Sequence, residues 1–165
     1  MGYGSAAGNG QKERNEIMKV PHTYAEWSVV LDILEKRTDD EGALAAMQQG
    51  TLEWQTGVAE RFSKKLIGMV NARMNAASDR FQKNISHVNG RESAVVQALL
   101  ALRKELAFLA ECVNIPVIPE TDRQRYHKLV LEQADTIQKS LEDSAKQDRT
   151  GKLSYLIRNH KVNTF

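Results

Sequence analysis

Four histidines, one cysteine and a few carboxylate clusters are the residues of this chain whose types could do chemistry. A metal centre inside a helical bundle needs a glutamate three positions before a histidine, so that both ligands project inward one turn apart. The residues three before His22, His87, His127 and His160 are Lys19, Asn84, Gln124 and Ile157. The HExxH pattern does not occur, and a single cysteine cannot supply the thiolates of a structural zinc site. No glycine-rich loop ends in Gly-Lys-Ser or Gly-Lys-Thr, and no G-x-S-x-G elbow is present. Asp39-Asp40-Glu41 and Glu142-Asp143 fall at expected helix ends, where solvent and the helix dipole account for them. His87 and His127 are expected at the surface or its boundary. Cys112 has Glu111 as its nearest polar neighbour, which suits a small buried hydrophobe better than a reactive thiolate. The expectation is a chain that is not an enzyme, with no metal, no cofactor and no small-molecule ligand.

Cations are the other candidates. From Lys146 to the end, Lys146, Arg149, Lys152, Arg158 and Lys161 stand against Asp148 alone, a net +4. The whole chain carries +2, so residues 1–145 carry −2 and the basic character sits in the last twenty residues. A second group, Arg123, Arg125, His127 and Lys128, crowds the start of an expected helix, where cations oppose the dipole. Adjacent Glu120 and Asp122 could neutralise them. A third, Lys64 and Lys65 with Arg61 and Lys83, lies on the polar face of a long helix. Solvation explains such faces, and contact with phosphate is the sharper alternative.

These groups must be positioned by helices. The apolar residues Val95, Leu99, Leu102, Leu106, Leu109 and Val113 recur at four- and three-residue steps, the seam of a helix lying lengthwise along another. Val96, Leu100, Phe108 and Ala110 widen that seam beyond a two-helix zipper. This core helix is expected over 91–113. Upstream, Tyr24, Trp27, Val30, Leu31 and Leu34 predict a helix over 24–37, opened by a capping box of Thr23 with Glu26. From Ala43 to Val88 the helical pattern hardly stops, and as one rod it would reach about 69 Å. Gly50 and Gly57 are expected to break it, leaving a short helix over 43–49 and a long one from Trp54 or Val58. Gly68, Ala72, Ala76 and Ala77 of that long helix would admit a close neighbour.

Asn89-Gly90 is a turn signal, with Asn89 capping the core helix and Glu92 as its reciprocal partner. The short connection makes the long helix and the core helix antiparallel neighbours. Pro116 and Pro119 end the core helix. A capping box of Thr121 with Gln124 then opens a helix over 122–147 carrying Tyr126, Val130, Gln133, Ile137, Leu141 and Ala145 on one side, flanked by Leu129 and Ala134. Thr150-Gly151 breaks it, and 152–160 could form a short helix with Leu153, Leu156 and Ile157 as its face. That segment either packs back on the bundle or orders when a partner arrives.

The expected fold is all-α: an antiparallel helical bundle of about four main helices over 18–148, a short extra helix, and flexible ends. Residues 1–17, with four glycines and little apolar content, read as a flexible leader, either a non-native extension or translated upstream sequence, with natural initiation expected at Met18. Residues 149–165 read as a basic tail. No segment approaches the ~20 apolar residues that cross a bilayer, and no secretion signal opens the chain, so the expected compartment is the cytoplasm. The first functional expectation is a non-enzymatic interaction protein, an adaptor or small subunit, contacting another protein or a second copy through Trp27, Trp54, Leu153, Leu156, Ile157 and Phe165. The second is a nucleic-acid-binding accessory protein using Lys64, Lys65, Arg123, Arg125, Lys128, Arg149, Lys152, Arg158 and Lys161.

Overall fold

In a computed structural model of the protein, residues 18–53, 57–87 and 91–165 are described. They form six helices: α1 (Tyr24–Lys36), α2 (Asp40–Gln49), α3 (Val58–His87), α4 (Glu92–Val113), α5 (Glu120–Ala145) and α6 (Lys152–Asn159). There is no strand among the described residues, and the protein is all-α. The leader 1–17, Trp54 and the Asn89-Gly90 turn lie outside the described residues. The chain divides into two compact units, the first ending at Met69 and including Ile115–Glu120, the second made of Val70–Asn114 and Thr121–Phe165.

In the first unit, the Thr23 hydroxyl accepts the Glu26 N–H at 3.2 Å while the Glu26 carboxylate accepts the Thr23 N–H, the capping box read from the sequence. Arg37 closes α1 in the left-handed conformation at φ 58°, and the Asp39 carboxylate accepts the Gly42 N–H to open α2. The two helices pack as a hairpin on Trp27, Leu31, Leu34 and Met47, all buried. Trp27 meets the edge of Phe62 from α3 with centroids 5.1 Å apart, and its indole N–H donates to the Thr51 carbonyl at 2.7 Å. Gly50 turns to an extended conformation at the end of α2, in a position where nothing larger fits: a Cβ there would lie 2.5 Å from Trp27 Cζ2. Gly57, at φ +84°, turns the chain into α3, so the pattern over 43–88 breaks where its glycines stand.

The second unit is organised on α4. Val95, Leu99, Leu102, Leu106, Leu109 and Val113 are all buried, as their spacing requires, and Ala110 and Cys112 join them. The Arg73 guanidinium of α3 grips the Glu105 carboxylate of α4 through two hydrogen bonds of 2.8 and 3.0 Å and lies over the Phe108 ring. Arg73 stands 14 residues before the end of α3 and Glu105 13 residues after the start of α4, each about 20 Å of helix from a short connection. Helices that meet again so far from their shared corner lie side by side and antiparallel. Gln133 of α5 donates to Asn75 of α3, and Lys152 at the start of α6 reaches Glu92 at the start of α4.

Several local expectations are corrected. The N-cap position of α4 is Arg91, without a side-chain cap, so Glu92 is its first residue and cannot be the third residue of a box begun at Asn89. Helix α5 starts at Glu120, which puts Thr121 inside its first turn instead of at its cap. Its buried stripe runs Tyr126, Val130, Ala134, Ile137, Gln138, Leu141, Ala145, with Gln133 only half-buried and Leu129 exposed. Gly68, Ala72 and Ala76 of α3 face solvent, and a Cβ on Gly68 would touch nothing within 4 Å. Their smallness admits no neighbour; only Ala77 is buried.

Candidate functional site

The last 20 residues gather the largest share of the cations predicted to bind, and the structure orders them. Asp148 is the organiser. Its carboxylate accepts the Leu153 N–H at 3.1 Å and both the hydroxyl and the N–H of Thr150, holding the turn that enters α6. These bonds, the Leu153 N–H foremost, hold its carboxyl below the usual range. Gln138 of α5, 4% exposed, is the second fixing point. Its Nε2 donates to the Ile157 carbonyl and its Oε1 accepts the Val162 N–H at 3.0 Å, while Asn163 donates to Asp135 at 2.8 Å. Leu156, Ile157 and Val162 are buried, so 149–165 packs back on its own unit.

Burying one side of α6 defines the other. Successive helix positions turn by 100°, so the side opposite Leu153, Leu156 and Ile157 presents Lys152, Tyr155, Arg158 and Asn159, all exposed. Tyr155 is 68% exposed and lies in the middle of that face, with Lys152 to one side and Arg158 to the other. Arg149 and Lys161 stand at its two ends, also exposed. Lys152 lies 3.8 Å from Glu92 with both side chains mostly in water, a pairing too weak to hold it against a competing anion. A cleft of about 370 Å³ opens beside Lys152, walled by Ile85, Val95, Leu153 and Leu156.

The other candidates fare differently. Arg125 pairs with Asp122 at 3.2 Å and lies over Tyr126, the local neutralisation read from the sequence, and Lys128 reaches Glu132. Arg123 is half-buried, its Nε without a hydrogen-bond partner. Lys64 is exposed, and Lys65 pairs with Asp32 across the first unit. Of the proposed protein contacts, Trp27, Leu156 and Ile157 are core residues, Leu153 is half-buried, Phe165 is 44% exposed, and Trp54 lies outside the described residues. Sequence reading missed Tyr155 as a surface aromatic and Gln138 as the group that orients α6. Only the step of three from Lys152 to Tyr155 and Arg158 hinted at the former.

In the first unit, a cleft of about 580 Å³ is lined by His22, Tyr24, Thr51, Glu53 and Arg61 among others. His22 Nδ1 lies 2.7 Å from the Thr51 hydroxyl, and Thr51 also donates its N–H to Pro21 and accepts from Trp27. These bonds tie the segment that enters α1 to the residues just after α2. Backbone N–H donation by His22, then by Thr23, holds the Glu26 carboxyl below its ordinary value. Among the described residues no cluster of three or more His, Cys, Asp or Glu could hold a metal ion, and no helix is long and apolar enough to cross a membrane. Compared with protein-family models, curated proteins and solved structures, the chain matches none of them.

Proposed function

We propose that the protein is a helical binding module whose contact surface is the outer face of α6 with the turns on either side of it, and that its partner is a nucleic acid. The observation that carries this reading is the exposure of Lys152, Tyr155 and Arg158 on one docked helix, with exposed Arg149 and Lys161 in the turns that flank it. Phosphate contacts supply affinity without base specificity, and four cations suit that role. The test is fluorescence anisotropy with a labelled 20-nucleotide oligonucleotide at ~50 mM salt, where electrostatic binding is strong. The parent should bind, and a variant with all four cations replaced by glutamine should lose binding while melting at the same temperature. Absence of binding by the parent, or binding by the variant equal to it, refutes the reading.

A second reading, an adaptor or small subunit that contacts another protein or a second copy, is favoured by the exposed Leu129 and Phe165. It loses the support of Leu156 and Ile157, whose apolar surface is spent inside the chain. Sedimentation of the purified protein over a hundredfold concentration range tests self-association directly.

A further inference from the structure

We infer that the α6 face binds single-stranded in preference to duplex nucleic acid, with one base stacked on the Tyr155 ring between phosphates held by Lys152 and Arg158. The inference rests on the nucleic-acid reading above and adds its substrate class. Three features lead to it. The ring is 68% exposed, although a tyrosine carries a large apolar body that folding normally covers. It lies on the axis of the charged face, three residues, just under one turn, from both Lys152 and Arg158, so a strand that meets the cations passes over it.

The third is rigidity. Asp148 at the entry to α6 and Gln138 beneath its exit hold the helix at both ends, which keeps the platform from collapsing onto the unit. An unpaired base presents a π-face to such a ring, while a duplex hides its faces in the stack and offers phosphate alone. The cations serve either form, so Tyr155 is the residue that discriminates.

The experiment compares a 12-nucleotide oligothymidine, an abasic strand of the same charge, and a 12-base-pair duplex, each against the parent, Tyr155→Ala and Tyr155→Phe. The expected order for the parent is oligothymidine tightest, with the abasic strand and the duplex weaker. Tyr155→Ala should weaken oligothymidine binding roughly 5- to 150-fold, the range of one lost stack, and leave the abasic strand unchanged. Tyr155→Phe, which keeps the ring, should restore parent affinity. Equal binding of the abasic strand, tighter binding of the duplex, or indifference to Tyr155→Ala overturns the inference and leaves electrostatic binding standing. No binding to any of the three overturns both.

Discussion

Replacing Gln138 by leucine should release the last helix while leaving the rest of its unit folded. The side chain is of similar volume and the site is 4% exposed, so the change removes hydrogen bonds and little packing. Two backbone groups lose their partners: the Val162 N–H, bonded at 3.0 Å, and the Ile157 carbonyl, bonded at 3.3 Å. Val162 is 0% and Ile157 1% exposed, so water does not replace the lost amide. An unsatisfied buried donor or acceptor costs about 1–3 kcal/mol, and two of them, less the gain from burying leucine, come to roughly 2–4 kcal/mol. An eight-residue helix cannot supply that from its own propensity, since isolated helices of that length are marginal in water. Amide hydrogen exchange reads the outcome residue by residue. Exchange of the Val162 amide should accelerate roughly 30- to 700-fold, the same free energy expressed as an opening equilibrium, while Leu102 and Leu106 keep their protection. A Val162 amide that exchanges within threefold of the parent would refute the account of how α6 is held.

Three further outcomes follow from the packing. Arg73→Ala should cost about 2–4 kcal/mol in chemical denaturation, because it strips a buried guanidinium from a carboxylate that is only partly solvated, whereas Arg73→Met with Glu105→Leu should come close to neutral; a single-variant loss below 1 kcal/mol contradicts this. Gly68→Ala should raise stability by about 0.5–1 kcal/mol at an exposed helical position, while Gly50→Ala should lower it by about 1–3 kcal/mol through overlap with the Trp27 ring; a lower melting temperature for the first or a higher one for the second would refute the corresponding prediction. Asp148 has its folded pKa depressed, so its contribution is present above the unfolded value of about 3.9 and is lost as pH falls through the lower folded value. Acidification below about pH 4 should therefore loosen the turn into α6, followed by NMR as titration of the Leu153 amide shift, and Asp148→Asn should abolish that titration; its persistence in the variant would show that another group is responsible.

The helices were legible because their causes are local. The four-and-three spacing from Val95 to Val113 admits one face of one rod, Thr23 and Glu26 are three residues apart and cap each other, and Gly50 stops a pattern that its neighbours continue. Where the prediction moved by a residue or two, at Arg91 and Glu120, the competing choices were adjacent turns of nearly equal energy. The candidate site was half legible. The excess of cations after residue 145 is countable in the sequence, but which side of 152–159 they share with Tyr155 depends on which side is buried.

What the order of amino acids determined alone is everything decided within about a turn of helix: six helical segments, their breaks and one of their caps. Only the tertiary structure decided the fates of Arg73, Gln138 and Tyr155. Arg73 had no role in the sequence reading, and it is a core residue because Glu105 arrives from 32 residues away to neutralise it. Gln138 is buried because it has the Val162 N–H and the Ile157 carbonyl to satisfy, and Tyr155 is exposed because those bonds turn Leu156 and Ile157 inward. Burial of a polar group requires its partner, and a partner distant in the chain has no signature in local periodicity.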